Sequence, residues 1–370
     1  MILSSINLKN FRSHQDTYLK FSDKLNFLIG GNGQGKTTVL EAIYYLCTTK
    51  SNNSKTDMEA VRFSKPEFEL NGVFNDLTES KVRIYYSASE NKKYYLKDGK
   101  LISRSADIIG KFPVVVLTPS DHSITQGSPG ERRKFIDSVI SQSNENYLKT
   151  LLDYNKILRQ RASLLFQLKD DRSNNLINEL DAWTEKLVES GTSIINYRLS
   201  FVSGFMRYIS NSYKVILGDD EEPGLRYSYL ENYEGAEIKE EFIRLLDLKK
   251  NEELRRVANL VGPHRDDFVF EINNLSLKTY GSQGQHKTFQ VVLRFAEFFY
   301  LKEVMGVVPI FLLDDIFGEL DTKRSVKISE YLKDLGQAFI TVTDFTNLSF
   351  IKKDNDDMYI NLSLGAVVNG

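Results

Sequence analysis

A chain of 370 residues that is 41% hydrophobic, 26% charged and 12% aromatic has the composition of a folded protein of about two domains, which excludes a disordered, collagen-like or low-complexity chain. Its 48 basic and 50 acidic side chains leave a net charge of −2, so any nucleic-acid binding needs a local basic patch or a surface assembled from several subunits. A single cysteine, Cys47, excludes an internal disulfide and fits a reducing compartment, and no stretch reaches the ~18 uninterrupted apolar residues of a membrane span, so a soluble cytoplasmic protein is expected, with no membrane partner.

The first thirty residues read as short strands. Ile6 and Leu8 alternate with polar neighbours, and Leu25 to Ile29 form an apolar run that ends at Gly30 and Gly31. Strand patterns return at 67–75, 82–87 and 94–103, the last with Asp98-Gly99, whose glycine accepts the positive φ of a tight hairpin turn. Pro113 to Leu117 reads as a buried strand.

At Ser128 the texture changes. Ser128-Pro129-Gly130-Glu131 has the order of a helix start: a hydroxyl N-cap, proline at the first position and glutamate at the third. Apolar residues then recur at helical spacing to about 215, with breaks at 141–146 and 170–175, and predict a compact helical lobe over 128–257. The acidic stretch 219–224 reads as a solvated loop. A strand at 268–272 precedes an Asn273-Asn274 turn, and the remaining chain alternates helix and strand. Residues 1–127 and 258–370 are therefore expected to form one discontinuous α/β domain.

Gly30-Gly31-Asn32-Gly33-Gln34-Gly35-Lys36-Thr37 has the pattern of a phosphate-binding P-loop. The glycines let backbone N–H groups curl around the β- and γ-phosphates of ATP, and the helix that follows points its positive end at the same anion. Lys36 supplies countercharge and the Thr37 hydroxyl is placed to ligate Mg²⁺. Downstream, the apolar run Pro309 to Leu313 ends in Asp314-Asp315, a Walker B pattern. It delivers Asp314 to the metal shell and places Asp315 to polarise the attacking water.

Three further segments narrow the class. Tyr280-Gly281-Ser282-Gln283-Gly284-Gln285 precedes a helix predicted from Lys287 to about Val304, and resembles the signature motif of ABC ATPases; the plain alternative is a serine helix cap. Gly318-Glu319-Leu320-Asp321 follows the acidic pair as a D-loop does. The strand 339–342 ends at Thr343-Asp344, where transporter-type members carry a histidine.

Several motifs together resemble the SMC-like branch of the ABC ATPases: Leu8-Lys9-Asn10-Phe11-Arg12, the P-loop followed by Val39-Leu40-Glu41-Ala42-Ile43, and Ser282-Gln283-Gly284-Gln285. Within that branch, Thr118-Pro119-Ser120-Asp121, Arg132-Arg133-Lys134-Phe135-Ile136-Asp137, Leu158-Arg159-Gln160-Arg161 and Gly262-Pro263-His264-Arg265-Asp266-Asp267 resemble the RecF family. About 245 residues separate Thr37 from Ser282, too few for the long coiled-coil arms of SMC proteins.

The resemblance implies an α/β fold: an ABC-type head, with a mixed sheet, flanking helices and an antiparallel sub-sheet, that carries an inserted helical lobe. It also implies an ATP-dependent DNA-binding protein of repair and replication that forms a homodimer on nucleotide and hydrolyses it slowly. Partners on this reading are duplex, gapped or junction DNA and the proteins RecR and RecO. Gly30 to Thr37 would hold ATP, Thr37 and Asp314 the Mg²⁺, and Asp315, one methylene shorter than the more usual glutamate, would act on water. Ser282, Gly284 and Gln285 would cap the nucleotide of the partner copy, and Asp321 would sit at the dimer seam. Another SMC-like enzyme such as a P-loop nuclease, or a transporter ATPase subunit, is the competing class. Some residues keep two readings. Arg12 contacts phosphate or adenine, or is a surface arginine; Arg132 and Arg133 face an anion or pair with a carboxylate such as Asp137; Arg159 and Arg161 line a DNA track or a solvated helix face. His264 is read as part of a structural turn.

Overall fold

The computed structural model describes residues 1–171, 173–317, 322–333, 335–343 and 354–367. Gly318 to Asp321 and Asp344 lie outside them.

Alternation builds the first third of the chain. In β1 (Ile2–Phe11) the buried set runs Leu3, Ile6, Leu8, and the change of parity is caused by a bulge between Leu3 and Ser5 that shifts the strand by one residue. It is followed by β2 (His14–Lys20), β3 (Leu25–Ile29), helix α1 (Lys36–Thr48) and β4 (Glu67–Asn75). Next come β5 (Glu79–Ser87), β6 (Lys92–Lys97) and β7 (Lys100–Ile102), then β8 (Val114–Leu117). Between β6 and β7, Asp98 and Gly99 both have positive φ, 51° and 75°, as the hairpin signal requires.

The helices α2 (His122–Gln126), α3 (Pro129–Ser143), α4 (Glu145–Gln167) and α5 (Asn174–Leu217) come next. Ser128 makes no side-chain cap to α3, contrary to the sequence reading; the Glu131 N–H donates to the Ser128 carbonyl at 3.1 Å. After β9 (Pro223–Ser228) come α6 (Ile238–Arg256), β10 (Asp267–Ile272), β11 (Leu275–Ser276), α7 (Leu277–Tyr280) and α8 (Gln283–Met305). The chain continues through β12 (Ile310–Leu313), α9 (Thr322–Lys333), β13 (Ala338–Val342), β14 (Met358–Ser363) and β15 (Ala366–Val367).

These elements form two compact units. The first comprises residues 1–121, 211–218 and 290–370. It holds an antiparallel sheet ordered β2-β1-β4-β5-β6-β7 and a second sheet ordered β15-β14-β3-β13-β12-β8, in which all strands but β15 run parallel. Val39, Leu40, Ala42, Ile43 and Leu46 of α1 are buried in one core with residues of both sheets. Strands β8, β12 and β13 are buried along their whole length and read as near-continuous apolar runs because both their faces are covered. Among the described residues, no helix is long and apolar enough to cross a membrane.

The second unit comprises residues 122–210 and 219–289. It takes in β10 and the segment through Phe289, which the linear pattern groups with the α/β domain. The reason is a strand ladder: β10 pairs along its whole length with β9, from Asp267↔Ser228 to Ile272↔Pro223. Inside this unit the family-like motifs form a buried polar web. Fully buried Arg198 donates to both carboxylate oxygens of Asp137, at 3.0 and 2.9 Å, and to the Pro263 carbonyl at 2.7 Å. Arg132 grips Asp267 at 2.7 and 2.9 Å, and so pairs with a residue other than Asp137. Arg133 reaches the Asp266 carbonyl. Arg161 is buried against Glu253 at 2.9 Å and Asn259 at 2.5 Å, which removes it from any surface track; Arg159 is exposed. His264 accepts from the Tyr154 hydroxyl at Nδ1, 2.7 Å, and donates from Nε2 to the Asn259 carbonyl at 3.1 Å. Burial pushes its pKa down to about 4, so this imidazole is neutral and fully satisfied. Breaking such a buried pair by truncating one partner costs about 3–5 kcal/mol, because the other charge stays behind in a dry interior.

Candidate nucleotide-binding site

The P-loop runs from the end of β3 to the start of α1. Gly35, the residue before the helix, has φ 95°, and a Cβ there would stand 2.7 Å from His14 Nε2, so both the turn and the close approach demand glycine. The first turn of α1 carries no acidic residue, which leaves its N–H groups and positive dipole end to an anion. Lys36 folds back over the loop and donates to the carbonyls of Gly30 at 2.5 Å and Gly31 at 2.9 Å. Burial lowers its pKa, opposed by Asp315 and Asp314.

Asp314 arrives on β12, held by its N–H to the Leu117 carbonyl of β8 at 2.9 Å. Its Oδ1 accepts from two hydroxyls, Thr37 at 2.9 Å and Thr341 at 2.8 Å. The Thr341 oxygen in turn accepts the Asp315 N–H at 2.9 Å. That contact holds Asp315 at φ 48°, a left-handed conformation that a non-glycine residue adopts at a cost, with its side chain exposed. The turn thus points two consecutive carboxylates to different environments, Asp314 buried and Asp315 in solvent.

Arg12, Asn32, Gly33, Gln34, Gly35, Lys36, Thr37, Asp314, Asp315 and Thr341 line one cleft of about 400 Å³. Arg12 sits on its rim with φ 52°, its guanidinium bidentate to Glu41 at 3.1 and 2.9 Å and bonded to the Glu59 carbonyl at 3.0 Å. Its side chain is thereby a fixed strut at the mouth of the cleft.

The signature segment lies in the second unit. Helix α8 begins at Gln283, earlier than Lys287, because Ser282 and Gln285 form a reciprocal cap. The Ser282 N–H donates to Gln285 Oε1 at 2.8 Å and the Gln285 N–H to Ser282 Oγ at 3.2 Å. The Gln285 amide also donates to Glu221 at 2.7 Å, so the acidic stretch read as a solvated loop contributes a positioning contact. Gly284 lies in the first turn, and its carbonyl accepts the Thr288 hydroxyl at 2.9 Å.

Sequence reasoning missed His14, Thr17, Thr341 and Gly365. Thr341 left one trace, a polar residue in an otherwise apolar strand; the others left none that spacing reveals. The donor set also bears on metal. The described residues hold no cluster of three or more His, Cys, Asp or Glu. Thr37 and Asp314 offer a hydroxyl and one carboxylate, the hard oxygen set that suits Mg²⁺ when phosphate oxygens and water complete the shell.

A glycine loop between a parallel strand and a helix, an aspartate hub on the next-but-one strand, an antiparallel sub-sheet and a separate unit with a capped serine turn define an ABC-type P-loop ATPase head. A family model described as an AAA domain matches residues 5–261. The SMC head of Pyrococcus furiosus superposes with a TM-score of 0.56 at 16% identity, covering 99% of this chain and 94% of that one, a likeness of fold alone. The protein named DNA replication and repair protein RecF from Chloroherpeton thalassium is 43% identical over 379 aligned residues, covering all of both chains. Its counterpart from Leptospira interrogans serovar copenhageni is 36% identical over 97% of each. A solved structure of the recombination mediator protein RecF with ATP, in the RecFOR pathway, superposes with a TM-score of 0.88 at 31% identity, covering 99% of this chain and 98% of that one. The chain belongs to the RecF family of DNA replication and repair proteins.

Proposed function

We propose that this chain is an ATP-binding, slowly hydrolysing DNA-repair protein of the cytoplasm in which nucleotide acts mainly as a dimerisation switch. One observation carries the reading: the Thr37 and Asp314 side chains meet at 2.9 Å in the same cleft as Lys36 and the glycine loop, a phosphate cradle with its metal corner built in. The solved relative with ATP supports it. In this reading Gly30 to Gly35 offer N–H groups to the triphosphate and Lys36 exchanges its loop carbonyls for phosphate oxygens. Thr37 and Asp314 would hold Mg²⁺, which would supply positive charge to offset that of the phosphates. Asp315 orients water and takes its proton at the carboxylate.

Ser282, Gly284 and Gln285 would cap the nucleotide of a second copy, with Asp321 at the seam. Two copies would then supply the DNA surface that a net charge of −2 does not, for gapped or junction DNA, with RecR and RecO as partners. Size exclusion with and without ATP tests this. The wild type is expected to shift to a dimer with ATP, and Ser282→Arg to remain monomeric while binding ATP at wild-type affinity; an ATP-dependent dimer in the variant would refute the serine's part. A salt-titrated comparison of duplex, single-stranded and gapped DNA reads the preferred structure. For Asp315→Glu, whose longer carboxylate reaches further toward water, steady-state hydrolysis is expected to rise; an unchanged or slower rate with ATP still bound would remove the reach argument.

A further inference from the structure

Two turns far apart in sequence meet at the base of the P-loop. His14, at the start of β2, is fully buried. Its Nε2 lies 3.1 Å from the Gly35 carbonyl, which also accepts the first helical bond of α1 from the Val39 N–H at 3.2 Å. A carbonyl only accepts, so Nε2 carries the hydrogen. On the other side of the ring, Nδ1 lies 3.0 Å from Thr17 Oγ1, and that oxygen lies 2.5 Å from the Gly365 carbonyl. The single hydroxyl hydrogen of Thr17 thus stands between two acceptors. From Gly365 the path returns to the loop: its N–H donates to the Gln34 carbonyl at 3.1 Å, and the Leu364 N–H to Gln34 Oε1 at 2.5 Å. Gly365 has φ 77°, and a Cβ would stand 2.8 Å from the Ser13 carbonyl, so the β14–β15 turn fits here only as glycine.

The contacts form a closed ring: Gly35, His14, Thr17, Gly365, Gln34. We propose that His14 is a positioning residue for the phosphate cradle, and that through Thr17 it ties the C-terminal turn to the P-loop. The physical basis is the planar trans peptide. With the Gly35 carbonyl seated on His14 and Val39, the N–H of Lys36 points the opposite way, out of the helix end toward the phosphate-binding loop. Gln34, held on both its backbone and its side-chain oxygens by the C-terminal turn, fixes the preceding peptide in the same manner. Burial lowers the pKa of His14, opposed by its contacts with the Gly35 and Gly365 carbonyls and aided by the nearby Arg62.

This inference rests on the nucleotide reading above, and calorimetric titration of magnesium ATP into the full chain separates the two. His14→Leu removes the donor at nearly constant apolar bulk. It is expected to weaken ATP about ten-fold, the worth of one hydrogen bond that orients a charged contact. His14→Gln, whose amide can still donate to Gly35, is expected to stay within about two-fold of wild type, and Thr17→Val to fall between the two. Thermal unfolding of each variant accompanies the titration. A folded His14→Leu that binds at wild-type affinity, or a Gln variant as weak as the Leu variant, overturns the positioning role. So does a lower melting temperature with unchanged affinity, the signature of a purely structural histidine. Should His14→Leu not fold, Thr17→Val at full wild-type affinity overturns it equally. A wild-type chain that does not bind ATP refutes the nucleotide reading itself.

Discussion

Lys36→Ala is expected to weaken ATP binding at least about 100-fold, the scale of two or more charge-assisted hydrogen bonds lost from a site that water does not replace well. The side chain is already committed in the described structure, with its ammonium on the Gly30 and Gly31 carbonyls and its charge partly desolvated. Phosphate oxygens offer that charge a better partner than neutral carbonyls do, so the differential interaction favours the nucleotide-bound state. Alanine also leaves two loop carbonyls without a donor, and the empty loop is expected to lose order. Lys36→Arg keeps the charge, but its planar fork does not fit the tight turn at Gly30–Gly31, so a smaller loss of about ten-fold is expected. Fluorescent-nucleotide titration against each variant measures both; wild-type affinity in Lys36→Ala would contradict the assignment of the cradle.

Asp314→Asn separates binding from chemistry. The substitution keeps an oxygen for the Thr37 and Thr341 hydroxyls, so the hub and the Asp315 turn it supports are expected to persist. What disappears is the negative charge that a bound Mg²⁺ would need under the proposed function. Hydrolysis is expected to fall by about 10²–10³, while ATP without magnesium binds within a few-fold of wild type. Single-turnover hydrolysis, with binding measured at zero and millimolar magnesium, decides the matter. If the variant hydrolyses at the wild-type rate, Asp314 is not the metal carboxylate.

The glycine turn proposed as the phosphate cradle was legible because its geometry is local. Gly35 and Lys36 sit in a single turn whose backbone requirements are written in adjacent residues, and the apolar runs before Gly30 and before Asp314 announced the strands that carry them. The hairpin at Asp98-Gly99 was legible for the same reason. The buried arginines were not. Arg161 sits on a helix face open to a solvated reading, and Arg132, for which a carboxylate partner is one of two readings, finds it in a residue no spacing indicates; the partners, Glu253 and Asp267, lie more than ninety residues away. Side-chain charge gives no sign of burial until its partner is known. Ser282 illustrates the middle case. Its spacing to Gln285 is that of a capping box, so the plain helix start and the proposed anion turn share one motif, and the structure displays the cap.

Taken alone, the order of residues determined the glycine turn, the helix that follows it and the two aspartates at a strand end, since each depends on contacts within a few positions along the chain. The tertiary structure decided which of the two aspartates is buried and which faces water. It also decided that β10 belongs with the helical unit, and that a histidine near the start and a glycine near the end of the described chain brace the same loop. Those outcomes rest on strand register and on hydrogen bonds that close over more than three hundred residues, such as Thr17 to Gly365. No local pattern encodes such closures, because their free energy exists only once the sheets have brought the partners together.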